Sequence, residues 1–213
     1  MTHPSWDESY AGSAPPPWDI GQPQSAFVRL AEQGMLTGQL LDAGCGTGEH
    51  TLLAASSGAD ALGVDVSPLA IERARRKAAA RGIPAAAGGQ TGTVRFEVAD
   101  ALSLGDLQLT FDTVIDSGLF HVFDDESRAR YVTSLASVLR PDGHLYLMCF
   151  SDRQPGTFGP RRVSQDELRA AFSDGWTVID IRADTFDINP GTFGTSTAQA
   201  WLATVSQGAP LRH

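Results

Sequence analysis

Short apolar runs alternate with longer amphipathic stretches along most of the chain. Residues 40–43, 61–64 and 145–150 are almost continuously apolar, as expected for strands buried on both faces of a sheet. The pattern predicts strands at 38–43, 61–66, 94–98, 111–116 and 144–150, and helices at 24–34, 47–57, 68–81, 126–139 and 165–172. Strands that alternate with helices indicate βαβ units. The sequence therefore predicts an α/β fold with a doubly wound, mostly parallel sheet.

The two ends of the chain depart from this alternation. Two strand-like runs at 177–187 and 198–206 flank a segment rich in Gly, Pro and Thr, and together they predict a terminal hairpin with one antiparallel strand at the sheet edge. Residues 1–23 contain five prolines and are too polar and too broken for a core element, which predicts an N-terminal arm or lid. Residues 83–92 are expected to form a flexible surface loop.

Length and composition favour one domain that binds a small molecule. The chain has 213 residues, of which 42% are hydrophobic and 19% charged, and this supports a single domain. We divide it into an arm at 1–23, a core at 38–150, and a loop, helix and hairpin at 151–213. The net charge is −9, and the 15 Arg and one Lys are scattered, which argues against a nucleic-acid partner.

The same composition bears on location and metals. No apolar run approaches the length of a membrane span, and the first residues lack the pattern of a secretory signal, so we expect a soluble, cytoplasmic protein. Cys45 and Cys149 are far apart and offer neither a disulfide framework nor a zinc spacing. We therefore predict no metal site, and the sequence leaves open whether the protein is a monomer or a homodimer.

A glycine-rich turn joins the first core strand to the first core helix. It reads LDAGCGTGEH at 41–50, and Gly44, Gly46 and Gly48 let the backbone approach a ligand closely. Asp65 closes the second strand, where a carboxylate can accept hydrogen bonds from ribose hydroxyls. A dinucleotide site requires G-x-G-x-x-G or A, but the sixth position here is Glu49, which suits pyrophosphate poorly. The turn predicts a nucleoside-containing cofactor without phosphates.

Four motifs occur in a characteristic order: LDAGCGTG at 41–48, GVDVSP at 63–68, FDTVID at 111–116 and LRPDG at 139–143. Over 40–150 the sequence resembles the class I S-adenosylmethionine-dependent methyltransferases. The resemblance implies a seven-stranded sheet with one antiparallel strand, S-adenosyl-L-methionine as cofactor and S-adenosyl-L-homocysteine as product. It also implies a cofactor site formed by Trp18, Asp42, Gly44, Cys45, Gly46, Gly48, His50, Asp65, Val66, Asp100, Ala101, Ser117 and His121. Within that set, the glycine turn and Cys45 face the methionine part, Asp65 the ribose, and Asp100 the adenine amine.

Two further segments suggest the acceptor class. PWDIGQPQ at 17–24 and DSGLFHVFDD at 116–125 resemble segments of thiopurine and thiol/halide methyltransferases. The whole arrangement, with CFSDRQPG at 149–156, is similar to small bacterial methyltransferases of heterocyclic toxins and quinone- or phenol-like compounds. The expected reaction is methyl transfer to an O, N or S nucleophile of a small aromatic or heterocyclic molecule. The alternative is a thiol/halide methyltransferase.

Candidate catalytic and acceptor residues follow the fourth predicted strand. His121 is the candidate general base, because its unperturbed pKa of about 6.5 suits proton removal near neutrality, and Asp116 is the second candidate. Phe120, Phe150 and Phe158 are expected to wall an aromatic acceptor pocket, with Phe123 a weaker candidate. Arg153, or else Arg161 or Arg162, would pair with an anionic substrate. Two other functions stay open: a cofactor-binding module without catalysis and a nicotinamide-dependent oxidoreductase.

Overall fold

One seven-stranded sheet organises the molecule. A computed structural model describes residues 6–12, 14–83, 92–157, 159–189 and 195–208. Their strands are β1 Gln39–Ala43, β2 Asp60–Asp65, β3 Thr93–Val98, β4 Phe111–Ser117, β5 Leu139–Phe150, β6 Trp176–Asp187 and β7 Thr197–Gln207. Their helices are α1 Trp6–Ala11, α2 Ser25–Glu32, α3 Glu49–Ser56, α4 Pro68–Ala80, α5 Asp125–Ala136 and α6 Gln165–Ala171, with 3-10 helices at Ala101–Leu107 and Phe120–Val122.

The strand order is β3-β2-β1-β4-β5-β7-β6. The pairs among β1 to β5 are parallel, whereas β7 is antiparallel to both β5 and β6. The predicted fold class is confirmed. Within the terminal hairpin, the antiparallel strand β7 lies between β5 and the edge strand β6.

Helices cover both faces of the sheet and define two apolar clusters. One cluster packs α2, α3 and α4 against one face, and the other packs α5, α6 and the first 3-10 helix against the opposite face. Because β1 lies between β2 and β4, the chain winds in opposite directions on its two sides. Ligands bind at the carboxyl ends of parallel strands at such a point. We therefore expect a ligand site at the carboxyl ends of β1, β2 and β4.

The boundary between α5 and β5 differs from the prediction. The sequence pattern places a helix over 126–139, but α5 ends at Ala136, because Leu139 already pairs with Phe111 of β4. The strand begins there, and its pairing with β4 shifts register before His144. Asp142 in this stretch has φ of 63°. The motif LRPDG thus forms the irregular first part of a strand instead of a loop before it.

The N-terminal arm contains more structure than its polar sequence predicts. Helix α1 packs on α4, and its Tyr10 is only 3% exposed. Asp7 accepts a hydrogen bond from the Ser67 hydroxyl, which also caps the start of α4. Residues 84–91, most of the predicted flexible loop, lie outside the described residues. None of the helices in the described ranges reaches the length and apolarity that a bilayer crossing requires.

Candidate active site

The turn after β1 is a left-handed glycine cradle. Gly44, Gly46 and Gly48 have φ of 73°, 52° and 86°, a region that residues with a Cβ rarely adopt. The backbone amides of Gly44 and Cys45 both donate to the Val64 carbonyl, which fixes the turn against β2. A Cβ on Gly48 would lie 2.7 Å from the Phe96 ring. Glycine is therefore required here both for backbone conformation and for packing.

Asp65 lies directly beside this turn, because Ala43 of β1 pairs with Val64 of β2. One carboxylate oxygen accepts from the Gly46 amide at 2.9 Å, and the other accepts from the Ser67 amide at 2.9 Å. Burial raises the pKa of Asp65, and these two amide hydrogen bonds oppose that increase. A carboxylate has about four acceptor positions, so lone pairs remain for two ligand hydroxyls.

A cavity of about 910 Å³ opens at the carboxyl ends of β1, β2 and β4. This volume lies near the upper end of the range of about 300 to 1,000 Å³ typical of small-molecule sites. The predicted residues that line it are Trp18, Gly44, Cys45, Gly46, His50, Asp65, Val66, Asp100, Ala101, Ser117, His121 and Phe150. One cavity thus brings together most of the predicted cofactor residues and several of the predicted acceptor-side residues.

Several predicted site residues lie away from this cavity. Asp42 is buried behind the glycine turn, where it accepts from the Thr51 hydroxyl at 2.6 Å, and burial raises its pKa to about 7. Phe120 is fully buried, where its ring stacks on Phe172 and lies under the Arg128 guanidinium. Arg153 stacks over Trp201. Gly48 also lies outside the lining, and Phe158 lies outside the described residues.

Asp116, the second candidate base, is absent from the cavity wall and organises the turn after β4. Its carboxylate accepts from the amides of Leu119 and Phe120 at 2.7 and 3.0 Å and from the Tyr131 hydroxyl at 3.1 Å. Asp116 is fully buried, and burial raises its pKa to about 7. The turn it holds places His121 at the cavity. Asp116 therefore has the geometry of a structural group that positions His121.

His121 lines the cavity among aromatic rings. Its ring centroid is 5.1 Å from that of Phe150 and 5.9 Å from that of Phe186, and its Nδ1 accepts from the Phe150 amide at 3.0 Å. His121 is 5% exposed. Burial, with the charges of Arg128 and Arg162, lowers its pKa to about 3. The imidazole is therefore neutral at physiological pH.

Residues of the N-terminal arm form the roof of the cavity. Trp18 donates from Nε1 to the Tyr10 hydroxyl at 3.1 Å and packs edge-on against Trp6. Asn189, just after β6, donates its side-chain amide to the carbonyls of Pro16 and Asp19, and its backbone amide donates to Pro17. These hydrogen bonds hold residues 16–19 over the cavity.

Buried charges connect the roof to the start of α3. Glu49 is 6% exposed and forms ion pairs with Lys77 at 2.8 Å and Arg81 at 2.9 Å. Burial alone would raise the pKa of Glu49, but these two cations outweigh it and hold the pKa below its usual value. Lys77 also donates to the Thr47 hydroxyl, which donates in turn to Asp19 in the roof. The carboxylate of Glu49 thus stays ionised near the start of α3.

Sequence reasoning missed some residues of the cavity wall. Tyr10, Phe186 and Ile188 line it, and none belongs to a recognisable motif; Leu119, within the segment 116–125, also lines it but was not predicted. Phe123, considered a weaker candidate, also lines the cavity, as does Arg161, which forms ion pairs with Asp125 and Glu167. The position of Phe186 depends on the pairing of β6 with β7, which brings a residue from far along the chain next to His121. A local sequence pattern carries no signal for such a contact.

Replacing His121 with Gln is expected to make folding less sensitive to acid. The pKa of His121 is about 3 in the folded protein, against about 6.5 in an unfolded chain. The unfolded chain therefore binds the proton first as the pH falls. The stability that the neutral His121 imidazole contributes is fully present above about pH 6.5 and is lost as the pH falls toward 3. By about pH 5 the natural chain should lose about 2 kcal/mol that the Gln variant does not lose.

Urea unfolding of both proteins at about pH 8 and about pH 5 measures this difference. His50, Asp42 and Asp116 also have shifted pKa values, but they are present in both proteins, so their contributions cancel. A difference in unfolding free energy that stays constant between the two pH values would contradict the assigned environment of His121.

Within the described ranges, no group of three or more His, Cys, Asp or Glu side chains is arranged to hold a metal ion. The cavity instead has a polar end and an aromatic end. The glycine turn, Asp65 and Asp100 lie at the first, and His121, Phe150 and Phe186 lie at the second.

Comparison with known proteins agrees with this geometry. A family model described as a methyltransferase domain matches residues 40–143. The chain is 37% identical over 202 residues to 2-heptyl-1-hydroxyquinolin-4(1H)-one methyltransferase of Mycobacteroides abscessus, covering 91% of this chain and 86% of that protein. It is 29% identical to probable thiol methyltransferase 2 of Arabidopsis thaliana, over 87% of this chain and 79% of that protein.

Solved structures show the same fold. One comes from work on the conversion of a disulfide bond into a thioacetal group during echinomycin biosynthesis; it has a TM-score of 0.82 and 38% identity, covering 95% of this chain and 91% of that one. A S-adenosylmethionine-dependent methyltransferase from Anabaena variabilis has a TM-score of 0.74 at 18% identity, with the same coverage of both chains. The latter likeness concerns the fold alone.

Proposed function

Because this chain belongs to the S-adenosylmethionine-dependent methyltransferases, we propose that it methylates an O, N or S nucleophile of a small aromatic or heterocyclic molecule. One observation carries the proposal. A single cavity of about 910 Å³ has a polar end, formed by the glycine turn, Asp65 and Asp100, which suits a nucleoside, and an opposite wall of aromatic side chains. The similar protein from Mycobacteroides abscessus is named for a hydroxyquinolone acceptor, which has the flat ring system that such a wall suits.

The residues at the first end fit S-adenosylmethionine. Asp65 has free acceptor positions for the two ribose hydroxyls, and Asp100 and Ala101 lie beside it in the cavity wall. Glycine at 46 leaves open a space in which a Cβ would approach the Tyr10 hydroxyl at 2.9 Å. The ionised carboxylate of Glu49 at the start of α3 disfavours a pyrophosphate there, because Lys77 and Arg81 already pair with it. These features support a cofactor that combines a nucleoside with an amino acid.

The protein's main contribution is alignment and exclusion of water. When bound, S-adenosylmethionine supplies a methyl group on a positively charged sulfur. Phe150, Phe186 and Phe123 would hold the acceptor ring, and the turn ordered by Asp116 would hold His121 beside the reacting atom. The roof formed by Trp18 and Tyr10 would limit the entry of water. Alignment of this kind can supply up to about 7 to 11 kcal/mol in well-oriented systems.

An acceptor screen tests the proposal. The full chain is incubated with S-adenosylmethionine and phenols, hydroxyquinolones, thiopurines, thiols or halides, and release of S-adenosylhomocysteine is measured. We expect release with at least one aromatic or heterocyclic acceptor. Release with thiols or halides alone would replace this proposal with the thiol/halide alternative, for which the Arabidopsis thaliana relative gives a precedent. Tight cofactor binding without release from any acceptor would indicate a binding module.

A further inference from the structure

A backbone hydrogen bond determines which nitrogen of His121 carries the proton. The Phe150 amide donates to Nδ1 at 3.0 Å, and a backbone amide can only donate. Nδ1 is therefore unprotonated, and in the neutral ring the hydrogen lies on Nε2. The Phe150 and Phe186 rings enclose the imidazole and oppose its rotation. His121 is thus held as one tautomer.

The protonated nitrogen is available to a ligand. His121 lines the cavity, and among the described residues no side chain or backbone group bonds its Nε2. To act as a base through Nε2, the ring would have to move its hydrogen to Nδ1, where it would oppose the Phe150 amide hydrogen. The low pKa of His121 is consistent with this, since protonation of the ring is unfavourable. In this tautomer the imidazole has an N–H donor at Nε2, and its other nitrogen is occupied by the Phe150 amide.

The carboxylates that line the cavity are engaged in the local structure. Asp65 accepts from two amides, Asp19 from the Thr47 hydroxyl and Asp187 from the Ser25 hydroxyl, and Glu49 forms ion pairs. Asp100 and Asp124 each cap a helix through a backbone amide. Burial raises the pKa of the Tyr10 hydroxyl and of the Cys45 thiol. None of these groups is arranged to take a proton from an acceptor beside His121.

Two positively charged groups act on His121. Arg128 on α5 and Arg162 in the loop after β5 act on it, and Arg162 lies 5.5 Å from the Phe150 ring centre. Arg128 has 6% side-chain exposure, and its contact with Glu167 is long, at 3.5 Å. Arg161 lines the cavity, although Asp125 and Glu167 pair with it. This end of the cavity therefore favours a negatively charged ligand.

We infer that His121 is a hydrogen-bond donor, and that the acceptor is an acidic O–H, S–H or N–OH compound that binds as its anion. This inference rests on the proposed function. The acceptor loses its proton to water before it binds, and the anionic atom then forms a bond to the methyl carbon. The carbon–sulfur bond breaks with its electron pair on sulfur, which leaves a neutral thioether and a neutral methylated product. His121 holds the anion in line through its Nε2–H.

The test uses a series of ring-substituted phenols of graded acidity, with 4-nitrophenol among them. The pH at which kcat/KM falls in acid should follow the acidity of each phenol in turn. The variant His121→Gln keeps an N–H donor without a basic nitrogen, and we expect it to retain kcat/KM within about tenfold. His121→Leu removes the donor to an anion and should lose about 10- to 100-fold.

A spectroscopic measurement reports the bound species directly. With S-adenosylhomocysteine present, the natural chain should raise the fraction of 4-nitrophenolate below the phenol's own pKa, and His121→Leu should not. Far-UV circular dichroism spectra that match the spectrum of the natural chain show that both variants fold. An acid inflection that is the same for every phenol and disappears in His121→Gln would make His121 a base and overturn the inference. Absence of transfer to every acceptor in the screen would overturn the proposed function as well.

Discussion

Asp65→Asn is expected to weaken binding of S-adenosylhomocysteine by about 10- to 150-fold. Hydrogen bonds to a charged group contribute about 1.5 to 3 kcal/mol, and each 1.4 kcal/mol is a factor of ten in affinity. The carboxylate also accepts from the amides of Gly46 and Ser67, so an amide side chain would direct its NH2 group at one of these donors. The substitution would weaken the hydrogen bonds to the ribose and distort the glycine turn. Calorimetric titration measures the change.

Asp60→Asn is the matched control. Asp60 lies at the other end of β2, where it accepts from Gln39 at 3.0 Å and from the Thr93 hydroxyl, outside the cavity wall. The same chemical change there should leave the affinity within about twofold, because Asp60 lies at the other end of β2 and does not line the cavity. Unchanged affinity in Asp65→Asn would remove Asp65 from the cofactor site.

Gly48→Ala should reduce the free energy of unfolding by about 2 to 5 kcal/mol. The left-handed conformation costs a residue with a Cβ about 1 to 2 kcal/mol, and overpacking a filled core costs about 1 to 3 kcal/mol more. At φ of 86°, the new methyl group would lie 2.7 Å from Phe96 and 2.9 Å from the Ala74 Cβ. Denaturant unfolding monitored by circular dichroism gives the loss.

Gly58→Ala separates these two contributions. Gly58 has φ of 99°, but a Cβ there would meet no atom within 4 Å, so only the conformational cost of about 1 to 2 kcal/mol is expected. If both variants lost the same stability, the close packing of the glycine turn against β3 and α4 would be contradicted.

The sequence predicts the core of the fold well because local patterns and topology agree there. Buried parallel strands are continuously apolar, and the glycine turn and Asp65 mark the two strand ends that meet at the cavity. The first strand predicted at 38–43 is β1 Gln39–Ala43, and the second predicted at 61–66 is β2 Asp60–Asp65. These features depend on short segments of chain, which is why sequence reasoning reaches them.

Contacts between segments that are far apart in the sequence could not be predicted in this way. Tyr10 is buried because α1 packs on α4, and nothing in the polar, proline-rich arm indicates that contact. Phe186 reaches His121 through the order of strands in the sheet. Phe120 and His121 are adjacent in sequence, yet one enters the core and the other faces the cavity. The short 3-10 helix Phe120–Val122, held by Asp116, directs these two side chains to different sides.

A crystal structure of the chain with S-adenosylhomocysteine tests the central claim most directly. The account predicts ribose hydroxyls at hydrogen-bond distance from the Asp65 carboxylate, adenine beside Asp100 and Ala101, and the sulfur atom directed toward His121 and Phe150. A nucleoside bound in the reverse direction, with its ribose at the aromatic end, would contradict the division of the cavity into a cofactor end and an acceptor end.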